Sequence, residues 1–341
     1  MASRILRTAT IASLALMAQF GAAQAQATLA AVKARGSLVC GVSQGLAGFS
    51  QADASGKWTG FDVDFCRAIA AAIFDDPGKV SFKALAADVR FDALKKGEID
   101  ILSRNSTWTM GREAALGLKF TSVNYYDGQG FLVAREPAVM SPLDFADVKI
   151  CAQTGTTNRD NAIDYLSTNN VKHAIVEVGS PDDMVKAYQD GRCNVMTADT
   201  SQLHALQIRL AKPGAAVILP DVISKEPLGP AVRQDDPQWF EIVKWTHFAM
   251  LDAEELGVST KTLTAALASA KPDVKRLIGT DGNYGEQIGL TRDWVVRIVR
   301  AAGNYGESFE RNVGTFSNLG IPRGLNQLWS RGGIQYAPPV R

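Results

Sequence analysis

The chain has 341 residues, 46% hydrophobic and 21% charged, with 36 Lys and Arg against 35 Asp and Glu. That length accommodates two domains, each with its own core. A net charge of +1, with no basic stripe interleaved with aromatics, argues against nucleic acid or any other polyanion as a partner.

Residues 1–25 read as an export signal. Arg4 and Arg7 precede the apolar run Ile11 to Ala18, and Ala23-Gln24-Ala25 offers small residues for cleavage near Ala25. The run is too short to span a bilayer, and no later stretch approaches the ~20 apolar residues that a span needs. The expected mature protein is exported, soluble, periplasmic and monomeric. Its four cysteines, Cys40, Cys66, Cys151 and Cys193, allow three pairings in an oxidising compartment. Cys40 with Cys66 and Cys151 with Cys193 would each stay within one half of the chain; isolated buried thiols are the alternative. Neither these spacings nor the scattered His173, His204 and His247 suit a metal site, and no cofactor is expected.

A helix around Leu29 to Lys33 precedes a buried strand, Ser37 to Val42. The small-residue loop Ser43 to Ser50 then lets backbone approach a ligand closely. Phe65, Ile69 and Ile73 recur at helical spacing beside Ala68 and Ala72, which predicts an amphipathic helix. A strand at Val80 to Leu85, a helix at Arg90 to Lys96 stopped by Gly97, and a strand at Ile99 to Leu102 complete a β-α-β-α-β run. That run favours a mostly parallel sheet, with ligands beyond the carboxyl ends of its strands. The next stretch, Ile101-Leu-Ser-Arg-Asn-Ser-Thr-Trp-Thr-Met-Gly-Arg112, passes from strand through polar loop into a helix with Thr109 as its N-cap. A cation in a first helical turn is mildly repelled by the helix dipole. Arg112 makes sense there if an anion binds, held also by the Thr107 hydroxyl and by free backbone N–H groups.

Phe131 to Ala134, flanked by Gly128, Gly130 and Pro137, reads as a crossing between domains. The pattern then repeats: strand Val148 to Ala152, the turn Gln153-Thr-Gly-Thr-Thr-Asn158 opening a helix, strand Ala174 to Val178, a helix begun by Ser180-Pro181, and strand Asn194 to Thr197 reaching Asp199. Pro220 to Ala231 is a second crossing. Helices follow at Trp239 to Met250 and Asp293 to Ala302, and Asn304 to Arg341 shows little periodicity, as expected of a packed arm. Two hydroxyl-rich helix starts, at Thr107 and at Thr154 to Thr157, occupy equivalent places in the two halves. They point to an anion pinched between lobes, with Asp199 placed either to take a cation or simply to cap the following helix.

Four segments, Gly60-Phe-Asp-Val-Asp64, Thr107-Trp-Thr-Met-Gly-Arg112, Gln153-Thr-Gly-Thr-Thr157 and Gly191-Arg-Cys-Asn-Val-Met-Thr-Ala-Asp199, resemble those of the family 3 periplasmic solute-binding proteins. The resemblance is strongest to the general L-amino-acid-binding branch. It rests there on Tyr125-Tyr-Asp-Gly-Gln-Gly130, Ile223-Ser-Lys-Glu-Pro-Leu-Gly-Pro-Ala-Val-Arg233 and the tail Gly332-Gly-Ile-Gln-Tyr-Ala-Pro-Pro-Val-Arg341. It implies a two-lobe α/β fold of the periplasmic-binding-protein type II, two hinge-connected lobes with mixed sheets: residues 26–134 in lobe 1, 135–222 in lobe 2, and 223–341 returning to lobe 1 with a C-terminal extension.

It also implies capture of free L-amino acids between the lobes and delivery to an inner-membrane ABC permease complex. Arg112 would pair with the α-carboxylate, helped by Thr107, Thr156 and Thr157. Asp199 and the Asn105 carbonyl would hold the α-ammonium. At Ser43, Leu46 and Ala87, where narrow-specificity relatives place an acid or aromatic walls, this chain has small or uncharged residues, so broad specificity is expected. The alternative on the same fold is a periplasmic cyclohexadienyl dehydratase acting on arogenate or prephenate. It needs a general acid, and an Asp199 facing an ammonium is expected to stay ionised.

Overall fold

A computed structural model of the protein describes residues 27–135 and 139–341. The export signal lies outside the described residues. In the first half, helix α1 (Ala27–Arg35) leads into strand β1 (Leu38–Val42) and a small hairpin of β2 (Gln51–Ala52) and β3 (Trp58–Thr59). Then come α2 (Phe61–Phe74), β4 (Val80–Ala84), α3 (Arg90–Lys95), β5 (Ile101–Leu102), α4 (Met110–Leu116) and β6 (Leu118–Phe120). The second half holds β7 (Tyr125–Ala134), β8 (Asp147–Gln153), α5 (Asn158–Thr168), β9 (Lys172–Val178), α6 (Pro181–Gln189), β10 (Val195–Asp199), α7 (Thr200–Gln207) and β11 (Ala216–Ile218). The chain returns through β12 (Ser224–Leu228) and β13 (Ala231–Arg233) to helices α8 (Pro237–Glu255), α9 (Leu263–Leu267), α10 (Pro272–Leu277), α11 (Tyr284–Gln287), α12 (Trp294–Ala302) and α13 (Tyr305–Asn312).

Each lobe is built on one sheet. The first has the order β4-β1-β5-β13-β6, the second β11-β7-β10-β8-β9 with β12 also paired to β7. Both are mixed, as the family resemblance implies, rather than mostly parallel as the β-α-β run alone suggests. The predicted β-α-β units do pair in parallel, β1 with β4 and β5, and β8 with β9 and β10. The strands that carry the chain between lobes enter antiparallel instead. β13 lies between β5 and β6, and β7 runs against β10, β11 and β12. The expected crossings at Phe131 and Pro220 are therefore sheet strands, because a connecting segment leaves its backbone groups unpaired unless it joins a ladder.

The lobes differ in core. Lobe 1 packs α2, α8, α12 and α13 together, and rings of Phe61, Tyr125, Tyr305 and Phe309 meet edge-on or stacked. Lobe 2 packs its helices on two smaller clusters, around Met184, Met196 and Leu203 and around Phe131, Ile150 and Leu166. One disulfide staples each lobe, Cys40–Cys66 and Cys151–Cys193.

The tail is more ordered than its weak periodicity suggested. Asn304 and Glu307 form a reciprocal capping box that starts α13. Tyr305 is buried and donates its hydroxyl to the Asn124 carbonyl at 2.9 Å. Asn326 acts as a substitute strand residue: its amide nitrogen donates to the Tyr126 carbonyl at 3.0 Å, and its oxygen accepts from the Tyr126 N–H at 2.6 Å. Arg323 makes a two-pronged ion pair with Glu254, both contacts at 3.1 Å. The extension thus holds the start of β7.

Candidate functional site

The carboxyl ends of β1, β5, β8 and β10 open onto a common interlobe cleft, as expected of α/β sheets. The loops that follow these strands deliver the side chains. A cavity there is lined from lobe 1 by Ser43, Leu46, Arg90, Arg104, Asn105, Thr107 and Arg112. Lobe 2 contributes Gln153, Thr156, Thr157, Asn158, Asp199 and Gln202.

The two lobes touch around this cavity. Arg90 donates across the gap to the Gly155 carbonyl at 3.1 Å, and the Thr107 and Thr157 hydroxyls lie 3.4 Å apart. Gly155 has φ +75°, and a Cβ there would meet the Asp88 Cα at 2.7 Å. Only a residue without a side chain lets the lobes approach this closely.

Arg112 sits in the first turn of α4. Its backbone N–H donates to the Thr109 hydroxyl at 3.2 Å, the expected N-cap, and its Nη1 donates to the Thr107 carbonyl at 2.8 Å. This bond folds the guanidinium back over the loop, and Phe91 lies beneath it at 5.2 Å. Burial lowers its pKa, opposed by Glu226 and Asp199. Asn105 has a positive φ of 32°, which Asn tolerates better than most residues. Its side-chain oxygen is buried without a hydrogen-bond partner among the described residues.

Asp199 ends β10 and occupies the cap position of α7, yet its side chain makes no capping bond. It accepts instead from the Asn158 amide at 2.8 Å. Burial, then the carboxylates of Asp127 and Glu226, push its pKa well above the usual range, against the opposing effects of Asn158 and Arg112. Burial thus works against the ionised form of Asp199 that holding an ammonium would require. Asp127, next in the acid cluster, is itself pushed up to about 6, mainly by burial.

Residues 38–261 match the bacterial extracellular solute-binding proteins, family 3. The chain belongs to this family. The general L-amino acid-binding periplasmic protein AapJ of Rhizobium johnstonii is 50% identical over 329 residues, 96% of each chain. The glutamate/glutamine/aspartate/asparagine-binding protein BztA of Rhodobacter capsulatus is 44% identical over 336 residues, 98% of this chain and 99% of the relative. A solved periplasmic binding protein of an ABC transporter from Brucella ovis, with glutathione bound, superposes with a TM-score of 0.90. It is 47% identical and covers 92% of this chain and 99% of its own. The two-lobe fold expected for this solute-binding protein is the observed one, and the protein is a receptor rather than an enzyme.

Eight of the nine residues singled out from the sequence of this family 3 protein line the cavity. Ala87 does not: it is buried behind Arg90 and gives that side chain its carbonyl as an acceptor. Ser43 and Leu46 are uncharged, as expected, but the lining also holds Arg90 and Arg104, which the sequence reading missed. Arg90 carried a readable signal, a cation at the first position of a predicted helix, the same anomaly that pointed to Arg112. Arg104 lay inside the Ile101–Arg112 stretch without a pattern to distinguish it.

Glu226 was also missed. It is buried on β12 and accepts from the hydroxyls of Thr107 at 2.5 Å and Thr157 at 3.0 Å, from Asn161 at 2.8 Å and from Ser224 at 2.6 Å. The Thr107 and Thr157 hydroxyls expected to face a ligand carboxylate are thus spent on a connecting strand, leaving their oxygens only as acceptors. Thr156 likewise donates to the Gln153 carbonyl at 2.6 Å.

Proposed function

We propose that the protein is the periplasmic receptor of an ABC importer for L-amino acids of many kinds, and that it closes its two lobes on the ligand's α-carboxylate and α-ammonium. The observation that carries this reading is that Arg112 and Asp199 line one cavity from opposite lobes. A cation on one wall and a carboxylate on the other match the two ends common to every amino acid. The unengaged nitrogens of Arg112 take the carboxylate. Asp199 and the Asn105 carbonyl take the ammonium, whose charge restores the ionised form of Asp199 against its burial. Charge-assisted bonds of about 1.5–3 kcal/mol each bring micromolar binding, about −8 kcal/mol, within reach.

Closure shifts a balance between open and closed forms because only the closed form lets both walls reach the ligand. The membrane permease reads that state. Residues 1–25 direct export and are removed near Ala25, and the mature receptor is a monomer. The names and ligands of its relatives favour this reading over a dehydratase.

Calorimetric titration with a panel of acidic, neutral and basic amino acids tests it, alongside X-ray scattering to follow closure. Measurable heat and a more compact particle are expected with members of all three groups. Binding confined to one amino acid, by more than about a thousandfold, would overturn the broad specificity. Equal binding of amino acids lacking the α-carboxylate or the α-amino group would overturn the whole reading.

A further inference from the structure

Three guanidinium groups face one cavity, and the α-carboxylate of an amino acid engages one of them. Arg90 is 2% exposed and Arg104 4% exposed, so neither is an ordinary solvated arginine. Arg104 donates from Nε to the Leu85 carbonyl at 3.0 Å. Its two terminal nitrogens have no hydrogen-bond partner among the described residues, and the side chain lines the cavity. Arg90 beside it is better occupied. It donates to the Ser106 hydroxyl at 3.1 Å and to the carbonyls of Ala87 and Gly155, and it rests on the Phe91 ring at 4.4 Å.

The charge balance is uneven. The cavity lining carries three arginines and one carboxylate, Asp199. Burial lowers the pKa of Arg104 to about 10, opposed by Asp62, Asp199 and Asp88 and reinforced by Arg112; burial, Arg104 and Arg112 depress Arg90, opposed by Asp199 and Asp88. Asp62 is a poor counterion for Arg104. It accepts from the Ser103 hydroxyl at 3.1 Å rather than from the guanidinium, and burial raises it to about 7. An amino acid with a neutral side chain leaves the terminal nitrogens of Arg104 without an anionic partner in a desolvated place, which is costly. A ligand with one further negative charge relieves it.

We propose that Arg104, with Arg90 beside it, forms a second anion subsite of the same cleft, which takes the side-chain carboxylate of an acidic amino acid. This rests on the reading that Arg112 and Asp199 hold the α-groups. The amides of Gln153, Asn158 and Gln202 on the same cavity let neutral side chains bind as well. The subsite therefore ranks ligands without excluding the rest.

Glutamate and glutamine are nearly identical in size and differ in charge, so the ratio of their dissociation constants reads this subsite alone. Titration calorimetry on the mature protein is expected to show glutamate tighter by about tenfold to a hundredfold, and aspartate tighter than asparagine in the same sense. Arg104→Gln should bring the glutamate-to-glutamine ratio close to one, and Arg104→Lys should keep part of it. Partial unfolding of a variant lowers the number of binding sites, not this ratio; Arg104→Lys carries the test if Arg104→Gln does not fold. Equal wild-type affinity for the two ligands would overturn the proposal. So would an Arg104→Gln variant that weakens both in the same proportion, because Arg104 then only supports the loop. Failure to bind any amino acid would instead refute the reading of the α-groups, and this one with it.

Discussion

The two walls of the cleft are made from equivalent strand ends yet carry opposite chemistry. Lobe 1 presents Arg90, Arg104 and Arg112; lobe 2 presents Asp199, amides and hydroxyls. The cations are anchored on their own lobe through backbone carbonyls, Arg104 to Leu85 and Arg112 to Thr107. The acid is held by an amide of its own lobe, Asn158. Each wall is thus held by its own lobe, and the contacts that join the walls include Arg90 with Gly155, and the two threonines that meet over Glu226. A receptor that must open again benefits from this division. On the proposed reading, affinity would come from preset walls rather than from a large lobe-to-lobe interface.

The contrast is broken most severely on the cationic wall. Arg112→Ala should cost about 2–5 kcal/mol of binding to every amino acid alike, measured by calorimetry, because a buried ligand carboxylate loses its partner. Unchanged affinity would put the carboxylate elsewhere.

Next come the staples, one in each lobe. Replacing Cys40 and Cys66, or Cys151 and Cys193, with serine should each lower stability by about 3–4 kcal/mol, given chain separations of 26 and 42 residues. Urea unfolding should reveal a separate early transition for the lobe whose bond is lost; no change in midpoint would mean that packing alone holds the lobes.

The contact between the walls is tested by Gly155→Ala. Strain at a positive φ is present in both open and closed forms, whereas the clash with the Asp88 backbone arises only on closure. About 1–3 kcal/mol should be lost from binding of all ligands, with ligand-induced compaction reduced in X-ray scattering. Full compaction at wild-type affinity would show that the lobes do not approach so closely.

The smallest effect concerns the acid wall. An ammonium reverses the raised pKa of Asp199, so binding releases a proton, and affinity for a neutral amino acid should fall as pH is lowered below that raised value. The slope approaches, at most, about tenfold per pH unit. Asp127, pushed up to about 6, protonates in the same range and eases the repulsion on Asp199, which flattens the fall. Asp199→Asn should bind weakly and without this slope; a wild-type affinity flat across about pH 5 to 8 would remove Asp199 from the ammonium site.

Much of the fold was legible because its signals are local. The 3.6-residue spacing of Phe65 and Ile69, the caps Thr109 and Ser180, and the stop at Gly97 all act within a few residues. So does the capping box of Asn304 and Glu307. The direction of β7 and β13 in their sheets was not legible, since it depends on partners far along the chain.

At the site, the chain itself determined which residue types stand at the strand ends and helix starts, and so supplied Arg112, Asp199 and the hydroxyls around them. Tertiary structure decided which of these face one another, that Glu226 draws off the Thr107 and Thr157 hydroxyls, and that two further arginines enter the cavity with them. The physical reason is that capping and periodicity are short-range, whereas the burial and neighbouring charge that give Arg104 or Asp199 its character come from elements that meet only in the folded molecule.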